Sequence, residues 1–556
     1  MSVTTAGLVP APTEPLLDSV RLAVLPESAT WELRDGVLEI HCAEAAEIRL
    51  SVPLGDAVGF WHPDAWWNRT IVADWAGLAH VSLVRGAAAG CLYDSSGASM
   101  LAFAALDPVP EVTMRYGVSE ESKTFVVHLH VPARRSPYRI ALAPQAPSVA
   151  AAMRALRRAP EERPVPEGAR VPVYSTWYGF SQDVAHEPVE AEARLAAELG
   201  CGALILDDGW QELGNGRGYA GVGDWRPDLA KFPDLAGHVA RVQGMGLKYL
   251  IWVAPLLLGP QAECFEALSP LAPLPSGVPG ARVLDPRLPE VRRHVVDLCV
   301  RLVRDYGPDG LKLDFLDQAT LYGDGAGAAM HDLLTELAAE LGPEALIEFR
   351  QPYVAPGTPL GNMLRADDCP ADAVANRVRT VDIALRAAGG AVHGDMLMWD
   401  PAGSTRSAAR QLIGTLHAVP QISARIGELP QAHRRMVAFW LERWRELRPL
   451  LLDGELEPGR PDELYPVVRA ERGDECVITV TADRVVPLDG RFRKITVVNG
   501  TASGRLVVEV AGEGFAVRRV HDAEGSRIDP SATQIPAGLG ILNVPASGMA
   551  VLEGNP

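Results

Sequence analysis

Up to about residue 148, apolar and polar positions alternate with a period of two. The stretch "TWELRDGVLEIHC" sets two such runs around Asp35-Gly36, a strong hairpin signal. "TFVVHLHVP" alternates in the same way. These runs predict a β domain. A helical pattern, "PSVAAAMRALRRA", follows it, and the Pro-rich "PEERPVPEGARVP" reads as a linker.

From about Val171 the rhythm changes. Short apolar runs alternate with amphipathic helical patterns. The strand candidates are "VPVYSTWYGF", "GALILDD", "LKYLIWVAP", "GLKLDF", "ALIEF", "NMLRAD", "GAVHGDM" and "PQISARI". Alternation of β with α predicts a parallel sheet, and eight strands over roughly 280 residues fit a (β/α)8 barrel. A doubly wound sheet is the alternative architecture. Between "IEFR" and "NMLRAD" no helical pattern is clear. After "DGELEPGRPDELYP", a second linker, the tail returns to β with "CVITVT", "KITVVNG", "RLVVEVAGEG" and "FAVRRVHDAEG". The expected order is an N-terminal β-sandwich over 1–160, a barrel over 161–450 and a small antiparallel β-sandwich over 451–556. A chain of 556 residues is too long for one hydrophobic core, which agrees with this division.

Barrel active sites sit at the C-terminal ends of the strands. There the second strand candidate ends in Asp207-Asp208-Gly209-Trp210, and the third carries Trp252. The fourth ends in Lys312-Leu313-Asp314, the fifth in Glu348 and Arg350, the sixth in Arg365 and Asp367-Asp368. Strand geometry turns Lys312 and Asp314 to one face and Leu311, Leu313 and Phe315 to the other. Carboxylates with aromatic rings at a barrel mouth point to sugar chemistry. A ring offers an apolar body to the C–H face of a pyranose, and an aspartate accepts hydrogen bonds from hydroxyls. Glycosidic cleavage needs two carboxyl groups flanking the bond, and Asp314 and Asp368 form the candidate pair. Lys312 is expected to hold Asp314 ionised, as a nucleophile requires. Asp367 is expected to help keep one proton in its pair with Asp368 at neutral pH.

The formal net charge of −18 disfavours a nucleic-acid partner, because that binding rests on Lys and Arg neutralising phosphates. Seven scattered cysteines, with no CxxC pair, read as reduced thiols in a cytoplasmic protein. No signal peptide is evident at the N-terminus. The most apolar stretch, "LKYLIWVAPLLLG", is too short and too broken for a membrane span.

The series "ILDDGWQE", "GDWRPDLAKFP", "GLKYLIWVAP", "YGPDGLKLDF" and "LRADDCPAD" resembles, in that order, the alpha-galactosidases of glycoside hydrolase family 36. The resemblance covers the barrel, and the flanking domains by architecture only. It implies a retaining α-glycosidase without metal or organic cofactor, acting on an α-linked oligosaccharide or glycoside. A homo-oligomer is compatible with it. By the same resemblance Asp314 corresponds to the nucleophile and Asp368, preferred to Asp367, to the general acid/base. Asp207 and Asp208 correspond to the pair that binds the galactose 4- and 6-hydroxyls. Trp252, Lys312, Arg350 and Arg365 correspond to substrate-pocket residues, and Trp177 and Trp210 are added to them. Trp66 or Trp67, in "FWHPDAWWNRT", corresponds to the tryptophan with which an N-terminal domain closes the pocket. Where many members carry a Cys- and Gly-rich segment after the fifth strand, this chain reads "IEFRQPYVAPG", which leaves the sugar's identity open at its 2-position. A retaining mechanism implies carboxyl groups roughly 5–5.5 Å apart.

Other readings remain beside this one. Lys312 with Asp314, or Glu348 with Arg350, could be structural ion pairs, and Trp252 plain barrel core. A metal-dependent barrel enzyme would use the same carboxylates to hold Mg²⁺. A sugar-binding protein with an inactive barrel, a transglycosylase, or a glycosidase for another sugar such as α-N-acetylgalactosaminide would share the motifs. Gly216, Gly218 and Gly221 match GxGxxG but lie in a long loop, not between a strand and a helix, so they do not read as a dinucleotide site. His393 and Asp395 are candidates for supporting the site from behind, and Asp317 reads as a loop residue.

Overall fold

The computed structural model describes residues 13–157, 165–350, 360–387 and 391–554. The first twelve residues, much of the Pro-rich linker and the "QPYVAPGTP" stretch after the fifth strand lie outside the described residues. The chain divides into two compact units, Met1–Arg158 with Arg460–Asp462, and Ala159–Gly459 with Glu463–Pro556.

In the first unit, two six-stranded sheets enclose one core. The hairpin expected at Asp35-Gly36 joins Thr30–Arg34 to Val37–His41 antiparallel. Asp35 and Gly36 both take positive φ, at 51° and 73°, as a primed hairpin turn requires. Along Ala46–Pro53 and Thr124–Val131, alternate residues such as Ile48, Leu50, Val127 and Leu129 enter the core. His128 lies 3.1 Å from Glu47 on the neighbouring strand.

The second unit contains the barrel. Its strands are β1 (Val173–Ser175), β2 (Ala203–Leu206), β3 (Lys248–Val253), β4 (Gly310–Leu313), β5 (Leu346–Arg350), β6 (Met363–Arg365), β7 (Ala391–His393) and β8 (Gln421–Ile422). Neighbours pair in parallel around the ring. Parallel bridges His393–Val419 and Leu397–Ile422 join β7 to β8 and close it. Every strand candidate of the sequence falls on one of these eight strands. They read as continuous apolar runs because a barrel strand is buried on both faces, with helices outside.

The interior follows from the two-residue period. Val173, Ala203, Ile205, Leu250, Leu346, Met363 and Ala391 form one buried cluster near the N-terminal ends, with Ala169 beneath. Two residues further along the strands stand Trp252, Lys312, Glu348, Arg365 and His393, each at most 3% exposed. The barrel thus changes from apolar to charged toward its C-terminal mouth. Gly310 is required for this packing: a Cβ there would lie 1.9 Å from the Leu346 carbonyl oxygen.

Helix Gln431–Asp453 follows β8 and buries Trp440 and Trp444. Beyond it, Glu455–Glu457 opens a β region with its own core. This region was expected to be antiparallel throughout. Two pairs run parallel instead: Glu475–Val480 with Lys494–Asn499, and Val486–Asp489 with Arg505–Ala511. The chain crosses to the other sheet through Val486–Asp489 before returning, and such a crossover is what parallel pairing needs.

Candidate active site

Asp314 lies one residue beyond β4 and donates its amide to the Val253 carbonyl, 2.9 Å away. Its Oδ2 accepts from the Trp252 indole N–H at 2.9 Å, and its Oδ1 from the Phe315 amide at 2.8 Å. Phe315 takes φ 55°, a left-handed turn that ends the strand directly behind the carboxylate. The Arg350 Nε stands 3.4 Å from Oδ1. Burial favours the neutral form of Asp314. The Arg350 guanidinium, then Lys312 and the Trp252 hydrogen bond, outweigh it and hold the carboxyl well below the usual range.

The same guanidinium reaches three more carboxylates: Asp317 at 3.7 Å, Asp367 at 3.5 Å and Asp368 at 3.6 Å. It also lies over the Phe315 ring, 5.4 Å from its centroid. Asp317 was not expected here. The one-sided curl of the 3-10 helix Leu316–Tyr322 returns it to the mouth, which strand alternation cannot anticipate.

Arg365 organises the other side. Its Nη1 donates to Asp395 at 2.6 Å and to Asp368 at 3.0 Å, and its Nε lies 3.3 Å from Glu348. Glu348 therefore faces Arg365 and not Arg350, and its second oxygen accepts from Gln421 at 2.6 Å. Asp395 also accepts from the Tyr178 hydroxyl and the Cys369 amide. Asp395 thus supports Arg365 from behind. His393 points lower in the barrel, 2.8 Å from the Ala169 carbonyl. The expected shared proton of Asp367 and Asp368 meets a different environment. Desolvation favours a neutral Asp368, but Arg365 and Arg350 overcome it and hold the carboxyl below its ordinary value.

Asp207 and Asp208 follow β2. The Lys312 ammonium donates to Asp207 Oδ2 at 2.6 Å, and the Ser175 hydroxyl to the same oxygen at 3.3 Å. Lys312 was expected on Asp314. It points across β3 to β2 instead, and it acts on Asp314 after Arg350. Asp208 is held through both oxygens, by Gln182 and Gln211 amides at 2.7 Å each. Burial, against these hydrogen bonds, pushes its carboxyl up to about 6.

The tryptophans divide. Trp252 is core by burial, yet its N–H holds Asp314. Trp210 is fully buried and donates to the Trp252 carbonyl at 2.9 Å, so it braces Trp252 instead of presenting a face to a ligand. Trp177, in the short helix Trp177–Phe180 after β1, carries the Arg217 guanidinium 5.3 Å from its ring centroid. Trp66 belongs to the first unit, where it takes φ 50° and its carbonyl accepts from Arg69. Among the described residues, no three His, Cys, Asp or Glu side chains are grouped to hold a metal ion. Among them, too, no helix is long and apolar enough to cross a membrane.

Comparisons with known proteins point one way. No family model matches the chain. Over 103 residues, 18% of its length, it is 33% identical to an alpha-galactosidase of Escherichia coli, covering 14% of that protein. Over 107 residues it is 33% identical to alpha-galactosidase AgaA of Geobacillus stearothermophilus, covering 19% of this chain and 13% of that one. The matched stretches thus span under a quarter of those relatives' length. In fold the likeness is much longer. The structure of a variant of GH36 alpha-galactosidase AgaA in complex with stachyose covers 96% of this chain, which covers 81% of that one, with a TM-score of 0.67 at 14% identity. The alpha-galactosidase TtGalA from Thermus thermophilus, in complex with p-nitrophenyl α-D-galactopyranoside, covers 83% of this chain, which covers 98% of that one, with a TM-score of 0.61 at 20% identity. The chain resembles the GH36 alpha-galactosidases in fold along nearly its whole length, and alpha-galactosidases in sequence over a shorter stretch.

Proposed function

We propose that the protein is a retaining α-galactosidase in which Asp314 is the nucleophile and Asp368 the general acid/base. One observation carries the assignment. At the C-terminal mouth of the barrel, a single guanidinium, that of Arg350, reaches both the Asp314 and the Asp368 carboxylates. Asp314 is kept ionised and aimed by the Trp252 N–H, as attack on an anomeric carbon requires. Asp368 is the more exposed of the two, with 42% of its side chain accessible against 11% for Asp314. That suits a group that exchanges a proton with a leaving oxygen and then with water. Asp207 and Asp208 would accept hydrogen bonds from sugar hydroxyls, through Asp207 Oδ1 and both Asp208 oxygens, each of which has a single donor and keeps a lone pair.

The reaction is a double displacement. The Asp314 carboxylate bonds to the anomeric carbon as the glycosidic bond breaks, and Asp368 gives its proton to the departing oxygen. Asp368, now a base, takes a proton from water, and that water's oxygen replaces Asp314. The substrate class is a terminal α-galactoside, the relatives having been solved with stachyose, raffinose and a nitrophenyl α-galactoside. No metal or organic cofactor enters these steps, and a cytoplasmic location fits the unpaired cysteines.

Asp367 is the rival for the acid/base role, because its carboxylate stands 3.5 Å from the same guanidinium. Turnover of the nitrophenyl α-galactoside, α-glucoside, α-N-acetylgalactosaminide and β-L-arabinopyranoside tests the assignment. Preference for the α-galactoside is expected. Asp368→Asn should then lose far more activity on raffinose than on the nitrophenyl substrate, whose leaving group needs no proton, and azide should restore turnover of the latter. The same pattern from Asp367→Asn would transfer the role to Asp367.

A further inference from the structure

The motif "GDWRPDLAKFP" contains Lys231, which the catalytic reading does not use. Its ammonium donates to three backbone carbonyls: Gln182 at 2.9 Å, Gly209 at 2.8 Å and Gly214 at 2.6 Å. These carbonyls belong to three separate segments. Gln182 follows the short helix after β1, Gly209 lies in the turn after β2, and Gly214 opens the Gly-rich loop beyond Trp210.

The same segments carry the two amides that grip Asp208. Gln182 Nε2 donates to Oδ2 and Gln211 Nε2 to Oδ1. Each amide is oriented by its other end. Gln182 Oε1 accepts the Arg217 amide, and Gln211 Oε1 accepts the Gly209 amide. The β1 and β2 turns also touch directly. Gly209 takes φ +114°, and a Cβ on it would lie 2.5 Å from Gln182 Cα. Three carbonyl dipoles converging at such a contact repel one another unless a cation sits among them. Lysine, with three donors and no acceptor, suits that place.

We propose that Lys231 is a positioning residue for Asp208: by binding the carbonyls of Gln182, Gly209 and Gly214, it holds the two glutamine amides at the spacing that fixes the carboxylate. This rests on the reading of Asp208 as an acceptor for a sugar hydroxyl. Lys231 touches no reacting atom, so its loss acts on substrate affinity and leaves the displacement itself in place.

Lys231→Met keeps an unbranched side chain one atom shorter and removes the cation. Lys231→Arg keeps the charge but cannot place three donors at one point, because its fork is planar. Two measurements decide. Hydrogen–deuterium exchange reports the turns at 180–183 and 208–216. Steady-state kinetics on nitrophenyl α-galactoside, normalised to active sites, separates KM from kcat. Expected for Lys231→Met are faster exchange in both turns and a KM raised by about tenfold or more, with kcat changed far less. Lys231→Arg should recover part of the KM. Unchanged exchange would overturn the proposal, and so would faster exchange with an unchanged KM, which marks a brace without influence on Asp208. If Lys231→Met does not fold, Lys231→Arg carries the same two readouts: a raised KM with faster exchange supports the proposal, and wild-type values in both overturn it. A wild-type protein silent on every α-galactoside would instead refute the proposed function, while the exchange measurement would still report whether Lys231 holds the clamp.

Discussion

The Lys312 ammonium lies 2.6 Å from the Asp207 carboxylate, with each side chain only 3% exposed. The pair spans from β4 to β2 inside the barrel. The burial of Lys312 disfavours its charge, but Asp207, together with Glu348 and Asp314, outweighs it and raises its pKa. Removing one member leaves the other charged and desolvated. Lys312→Met should therefore cost about 3–5 kcal/mol of stability. The double variant Lys312→Met with Asp207→Asn should cost less than the sum of the singles, because the buried charge is gone. Urea denaturation followed by circular dichroism checks both.

Asp208 predicts an acid limb on affinity. Burial raises its carboxyl to about 6, against the lowering by Gln211 and Gln182. As pH falls through about 6 the carboxylate takes a proton and loses acceptor capacity toward a sugar hydroxyl. KM for nitrophenyl α-galactoside should rise below that pH and level off above it. The stability effect has the opposite sense. A carboxyl whose folded pKa exceeds its unfolded value favours the folded state in acid, and that contribution is lost as pH rises through about 6. A KM independent of pH between 5 and 8 would remove Asp208 from the binding role.

Arg350 sets the charge state of Asp314, the proposed nucleophile. It is the strongest influence lowering the Asp314 pKa and, after Arg365, the next for Asp368. Arg350→Met should let both carboxyls rise. Asp314 would then bind a proton at higher pH, so the acid limb of kcat/KM should move upward and activity at pH 5 should fall more than activity at pH 8. Arg350→Lys keeps the charge without the fork and should shift the limb less. The pH profile of kcat/KM for the three proteins is the check.

Asp368 is held low by two arginines, Arg365 and Arg350. With Asp368 as the proposed acid, a substrate that needs protonation of its leaving oxygen meets it in its rarer form at neutral pH. The ratio of kcat/KM for raffinose to that for nitrophenyl α-galactoside should increase as pH is lowered from 8 toward 6. A ratio that stays constant would place the proton donor elsewhere.

The eight strands were legible because a barrel strand leaves a plain mark: an apolar run that ends in charge. Gly310, Lys312 and Asp314 share a face in the sequence, and the structure keeps them on the interior side of β4. The partner of Lys312 was not legible. It comes from the next strand but one, and the stagger of strands around a barrel does not follow from spacing along the chain. Glu348 and Arg350 show the same limit. Two residues apart, they invite a pairing, yet each meets a different element. Asp317 was missed because a 3-10 turn replaces the two-residue period just where the strand stops. Trp210 looked like a pocket residue from its place beside Asp208, but its ring turns inward onto Trp252.

The stereochemistry of the first product tests the central claim most directly. Proton NMR of nitrophenyl α-galactoside hydrolysis, recorded before mutarotation, shows which anomer of galactose appears first. A double displacement through Asp314 predicts the α-anomer. First appearance of the β-anomer would mean single displacement and would contradict Asp314 as nucleophile.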